Sequence, residues 1–214
     1  MASKTEIANM AISHLGIGKE IANVDTEKSQ EARACRSFYE SAKKITLSDL
    51  DWNFASTFAT LGLVEEDPTT EYRYSYQYPT DCLRLRRILS GSRQDTQQSR
   101  IPYRIVVDGG TRKIYTDQDS AVVEYTTDIT DASIFDSEFA MALSYRLAAF
   151  ICSRLTAGDD FRIKAEMLQH YQMEIGFAKK KNMNEVQHDR HNESDLIRSR
   201  GGARDRISYD RYEL

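Results

Sequence analysis

Cysteine is scarce in this chain. Of 214 residues only Cys35, Cys82 and Cys152 are cysteines, and no two of them form a Cys-x-x-Cys pair. An odd, widely spaced set gives neither a disulfide framework nor a zinc-ligand spacing. Long apolar runs are missing too: no stretch approaches the ~20 residues of a membrane span. The opening Met1-Ala2-Ser3-Lys4-Thr5-Glu6 lacks the apolar core of a signal peptide. Positive charge is not in excess. With 29 Lys and Arg against 33 Asp and Glu, the formal net charge is -4, so broad attraction to nucleic acid or anionic membrane is not expected. A soluble protein of the reduced cytosol is the expectation.

The motifs of catalysis are also missing. There is no G-x-S-x-G elbow, no P-loop and no G-x-G-x-x-G. The acid pairs Glu65-Glu66 and Asp159-Asp160 fall at element ends, where solvation and capping account for them. His188-Asp189-Arg190-His191 places two imidazoles at i, i+3, but no carboxylate or thiol joins them at a ligand spacing. No enzyme activity, cofactor or metal is therefore assigned. No repeat of solenoid period is visible.

What is there divides into helical and extended stretches. Ser3-Lys4-Thr5-Glu6 has the form of a capping box ahead of the stripe Ile7, Met10, Ala11 and Leu15, with Gly16 as the stop. The organising stretch is Asp25 to Ala55. Its apolar residues Cys35, Phe38, Tyr39, Ala42, Ile45 and Leu50 follow one helix face, Asp25 or Thr26 can cap it, and Glu27 suits its first turn. The only tryptophan, Trp52, and Phe54 sit where this helix should end and are the expected structural anchor. From Phe58 the period becomes that of strands. Phe58 to Val64 is expected as a strand and Glu65 to Pro68 as a loop. Tyr72, Tyr74, Tyr76 and Tyr78 alternate with polar residues, Cys82 to Leu89 is a further strand, and Gly91 to Arg100 is a polar loop. Asp108-Gly109-Gly110-Thr111-Arg112 joins two strands as a hairpin, and Ala121 to Thr127 adds another. Helix returns after Ile129, capped by Asp131, Ser133 or Asp136, with Phe135, Phe139, Leu143, Leu147 and Ile151 in its stripe. Gly158 ends it. Asp159 or Asp160 opens a last helix carrying Phe161, Ala165, Leu168, Tyr171, Ile175 and Ala178.

The expected fold is therefore α+β: an antiparallel helical bundle from 1–57 and 128–181, a small antiparallel β-sheet inserted at 58–127, and an extended tail at 182–214. The tail holds no Phe, Trp or Cys, and its aliphatics are scattered. It cannot by itself bury enough surface to offset its ordering entropy. Yet Leu196, Ile197, Tyr209 and Tyr212 are anchors that a purely solvated tail would not need, so it is expected to order on a partner. The tyrosine row has three readings: a base-stacking platform for single-stranded nucleic acid helped by Arg73, Arg84 and Arg86, a protein contact surface, or a sheet face packed on the bundle.

Several stretches, taken in order, resemble the head-to-tail adaptors of tailed bacteriophages, in particular the tail tubular protein A group of short-tailed phages. They are Ser13-His14-Leu15-Gly16, Trp52-Asn53-Phe54-Ala55, Tyr78-Pro79-Thr80-Asp81-Cys82-Leu83-Arg84, Lys113-Ile114-Tyr115-Thr116, Glu124-Tyr125 and Ser194-Asp195-Leu196-Ile197-Arg198-Ser199-Arg200. The resemblance covers nearly the whole chain and leaves the roles of the 91–100 loop and of the residues after Arg200 open. It implies a structural protein of the virion neck, made in the host cytoplasm. About twelve copies would close a ring between the portal protein and the tail nozzle or tube. The tail residues Leu196, Ile197, Arg198, Arg200, Tyr209 and Tyr212 would clasp the portal, and Tyr72 to Tyr78 would offer a subunit or tail contact. Double-stranded DNA would slide through the acidic lumen without specific binding. A head-completion or stopper connector is the alternative, and a single-stranded nucleic-acid-binding module using the tyrosine face is another.

Overall fold

The computed structural model describes residues 2–69, 71–91, 100–156 and 160–185. Among them the chain is a mixed α+β protein with four α-helices and two small antiparallel sheets.

Helix α1 spans Lys4–His14. Its capping box is complete: Glu6 N donates to Ser3 Oγ at 3.1 Å and Ser3 N to the Glu6 carboxylate at 3.3 Å. At the other end Gly16 has φ +74. It closes a Schellman turn in which Gly16 N donates to Ser13 O at 2.9 Å and Ile17 N to Ile12 O at 3.3 Å. A Cβ at this φ would be strained, which is why glycine stands there.

Helix α2 spans Gln30–Asp49, later in start and earlier in end than its apolar spacing suggests. The cap is Ser29, whose Oγ accepts from Ala32 N at 3.3 Å, not Asp25 or Thr26. Those two backbone amides are taken by Asn23 Oδ1 at 2.8 and 3.2 Å, a local turn that competes with helix. Cys35, Tyr39 and Ala42 face the core as expected, but Ile45 lies about 100° round the helix from that row and is exposed.

Seven strands follow, β1 Ser56–Thr60, β2 Leu63–Thr69, β3 Tyr72–Gln77, β4 Cys82–Ile88, β5 Tyr103–Asp108, β6 Thr111–Thr116 and β7 Val122–Thr127. They form two sheets, not one, in the orders β1-β7-β4 and β2-β3-β6-β5. The sheets part at Leu61-Gly62, where Leu61 N donates to Ala121 O in one direction and Gly62 O accepts from Gln77 N in the other. The expected loop Glu65 to Pro68 belongs to β2. It carries no apolar alternation because β2 is an edge strand, exposed along almost its whole length. Asp108 pairs with Thr111 across Gly109 and Gly110, both at positive φ, which makes the expected tight hairpin. Leu61, Tyr76, Leu85, Ile114, Val123 and Tyr125 form a core belonging to the strands.

Helix α3, Ser137–Leu155, is buried along much of its length and packs against α1, α2 and α4. Of the expected caps, Asp136 stands at its N-cap position, while Asp131 Oδ1 accepts from Ser133 N in a preceding 3-10 turn. Helix α4 spans Asp160–Glu185. Its inward row is Met167, Tyr171 and Ala178 with Ile163, Leu168 and Ile175 beside them. Phe161 lies about 100° away from that row and is exposed, contrary to expectation. The helix also continues past Lys181, so Asn182 to Glu185 are helical rather than tail. The expected stop at Gly158 and the cap at Asp159 lie outside the described residues.

Trp52 is 2% exposed, with its ring 5.0 Å from Phe139, and Phe54 lies 5.2 Å from Phe139 and 6.0 Å from Phe135. Trp52→Ala should therefore destabilise the protein by about 3–5 kcal/mol. Phe58→Ala, on an exposed strand face, should change stability by no more than about 0.5 kcal/mol. Urea unfolding of the two variants measures both.

Candidate functional site

The helix-to-strand junction gathers several buried polar groups, Lys43, Thr46 and Thr126 among them. Leu50 is extended and stops α2. The Trp52 indole Nε1 then donates back to Thr46 O at 2.9 Å, fixing the ring against the helix it has just left. From β4, Arg86 reaches the same place. Its guanidinium donates to Trp52 O at 2.6 Å and to Thr126 Oγ1 at 3.0 Å, and lies 3.6 Å from Asp51 and 3.5 Å from Glu124. The side chain is 8% exposed. Burial pulls its pKa down, while the Asp51 and Glu124 carboxylates hold it charged. A second buried cation, Lys43, pairs with Glu40 at 2.9 Å and with Asp128 at 3.0 Å, just beyond β7.

The carboxyl end of α4 is held at this junction. Asn182 Nδ2 donates to Asp51 O, and Asn182 Oδ1 accepts from Asn53 N at 3.2 Å. Asn53 Nδ2 donates to Asn182 O at 3.2 Å and to Glu185 Oε2 at 3.0 Å. Lys181 pairs with Glu138 at 2.7 Å. One turn of helix is thus stitched to the two residues flanking the tryptophan. Glu185, the last of the described residues, is therefore held in a defined place. The expected partner-binding residues Leu196, Ile197, Arg198, Arg200, Tyr209 and Tyr212 lie beyond it, outside the described residues, as do His188 and His191.

The tyrosine row is placed differently from a face packed on helices. Tyr76 is 2% exposed in the core of the strands, with Tyr74 and Tyr78 packed against it. Its hydroxyl donates to Gln118 O at 2.8 Å. Tyr78 accepts from the Cys82 thiol at 3.1 Å and carries the Arg112 guanidinium 5.7 Å over its ring. Burial pushes the Tyr78 hydroxyl above its ordinary pKa. Only Tyr72 turns elsewhere, its ring 6.3 Å from that of Tyr115.

One cluster was not legible as a unit. Tyr145 of α3 is sandwiched between His14 of α1, stacked at 3.9 Å, and His170 of α4, stacked at 5.3 Å. Each aromatic sits singly on its own helix, and only packing of the helices brings them together. Ser144 Oγ donates to Met141 O at 2.7 Å, so at 2.9 Å His14 Nε2 must be the donor to Ser144. Burial, and then repulsion from His170, holds the His14 pKa below its ordinary 6.5.

No family model matches the chain, and no curated protein matches it. Among the described residues no three His, Cys, Asp or Glu side chains are grouped to hold a metal ion, and no helix is long and apolar enough to cross a membrane. The built features are polar clamps that hold elements in place and surfaces that could meet a partner.

Two outcomes follow from this geometry. Asn182→Ala removes the clamp and should cost about 1–2 kcal/mol, with faster amide exchange in the last turn of α4. A histidine whose folded pKa is depressed contributes stability above its unfolded pKa and loses it as pH falls through the folded one. The urea midpoint should therefore drop as pH falls below the ordinary histidine value of 6.5, and His14→Gln should shrink that drop.

Proposed function

We propose that this protein is a structural connector of a tailed-phage virion: a head-to-tail adaptor that joins the portal to the tail nozzle or tube. About twelve copies would form its ring, with double-stranded DNA passing through the lumen unbound. In this reading the helices act as one bundle interrupted by the β insertion. The residues after Glu185 form the clasp that orders on the portal. The observation that carries it is the stitched end of α4. A rigid body with a fixed point of departure, followed by a segment that carries Arg198, Arg200, Arg204, Arg206 and Arg211 and the anchors Leu196, Ile197, Tyr209 and Tyr212, suits docking that orders on contact. An acidic balance of -4 suits a conduit that must not retain DNA.

The nucleic-acid alternative loses support because Tyr76 is buried and so cannot stack on a base. A stopper one layer further down would not touch the portal. The test is to mix the chain with the portal of the same particle. The full chain should bind and form rings visible by electron microscopy. A version ending at Glu185 should lose the binding while keeping its cooperative thermal unfolding. Undiminished portal binding by the shortened chain would remove the clasp, and binding to short oligonucleotides that falls steeply with salt would favour the nucleic-acid module.

A further inference from the structure

Helix α4 is apolar on two sides. Its inward row seats on α3. On the outward side Met173 is 50%, Phe177 59% and Met183 58% exposed, and Lys180 lies 5.7 Å over the Phe177 ring. Met173, Phe177 and Lys180 fall at i, i+4 and i+7, one continuous strip of helix surface. Gly176 lies beside that strip, and nothing stands within 4 Å of where its Cβ would be. A glycine inside a helix costs about 1 kcal/mol relative to alanine. Here its own subunit gives no reason for it, whereas a neighbour approaching closely would.

A surface of opposite character lies on β2. This edge strand pairs with β3 alone among the described residues, and Leu63 is 51% and Val64 49% exposed. The acidic run Glu65, Glu66 and Asp67 follows directly, all exposed. Beside it an open concavity is lined by Asp67, Thr69, Glu71, Tyr72, Arg73 and Asp117, with three carboxylates to one guanidinium. Neither Lys180 nor Glu66 has an ion-pair partner of its own among the described residues. One face is aromatic and basic, the other aliphatic and acidic, and they are unlike patches of one chain. Such a pair gives a heterologous, head-to-tail contact, the kind that closes a ring when its rotation is right.

We propose that the outward face of α4 in one copy docks on the β2 edge of a second copy. Phe177 and Met173 meet Leu63 and Val64, and Lys180 meets Glu66 and Asp67. The proposal rests on the connector reading and gives its ring a subunit contact. A single contact of this size is weak, so the free chain is largely monomeric when dilute and associates on concentration. The portal supplies the alignment that lets successive contacts close.

Sedimentation velocity of the full chain over a concentration series, with carbodiimide cross-linking at high concentration, tests this. The expected cross-link joins Lys180 of one copy to Glu66 of another. Lys180→Glu and Glu66→Lys should each weaken association by about 5- to 10-fold. The double reversal should restore it, and so should an equimolar mixture of the two single variants, in which unlike copies alternate. Gly176→Leu should weaken association without lowering thermal stability, since its side chain meets nothing in its own subunit. Association that ignores the single reversals, or a double reversal that does not recover, overturns the proposal. So does a chain that stays monomeric up to about millimolar concentration. Portal binding separates the two claims. A chain that binds its portal but is indifferent to these reversals keeps the connector reading and loses this contact. A chain that associates through these faces yet ignores the portal does the reverse.

Discussion

Arg86 sits where the helices hand over to the strands, and its burial sets the terms for everything around it. A guanidinium that is 8% exposed would be costly by several kcal/mol if left alone. It is tolerable because Asp51 comes from the turn just past α2, Glu124 and Thr126 from β7, and the acceptor carbonyl from Trp52. Those groups can satisfy it only when helix, turn and sheet adopt one mutual orientation. An apolar contact at the same place could slide. A charge that needs four partners cannot, so its contribution is to the uniqueness of the arrangement more than to its depth.

The apolar and polar parts of the junction divide the work accordingly. Trp52, Phe54, Phe135 and Phe139 bury the area that holds the junction together. Arg86, the Lys43–Asp128 pair and the Asn53–Asn182 clamp decide how it is oriented. The last of these also determines where the chain leaves α4. In the ring proposed above, such orientation would matter more than extra stability, because an angular error in one copy recurs in every other. The clasp and the side-to-side contact proposed above both depend on that frame, the first through the end of α4 and the second through its outward face.

Secondary structure was readable wherever local chemistry alone decides it. The Ser3–Glu6 box and the Gly16 turn are satisfied within a few residues, and so is the Gly109-Gly110 hairpin; all three stand as the residues suggest. The start of α2 was misread because Asn23 captures the amides that Asp25 and Thr26 would have brought to a helix, a competition that composition does not reveal. Glu65 to Pro68 reads as a loop yet belongs to β2, because an edge strand exposed along nearly all its length has no apolar period to show there. Alternation puts Tyr72 to Tyr78 on one extended face, but Tyr72 lies against Tyr115 while Tyr74, Tyr76 and Tyr78 belong to the core of the strands. Alternation says that residues share a side, not what lies opposite.

The chain by itself determined the α+β character, both ends of α1 and the Gly109-Gly110 hairpin. Each of these follows from short-range patterns of size, polarity and backbone freedom. Only the tertiary structure decided that the strands split into two sheets, that Tyr76 is buried between them, that His14 and His170 enclose Tyr145, and that Asn182 belongs to a helix stitched beside the tryptophan. These depend on contacts between residues distant in sequence, such as Tyr145 with His170, Tyr76 with Gln118 and Asn53 with Asn182. A local pattern carries no information about which distant partner will satisfy it, and the burial of a polar group becomes visible only when that partner has arrived.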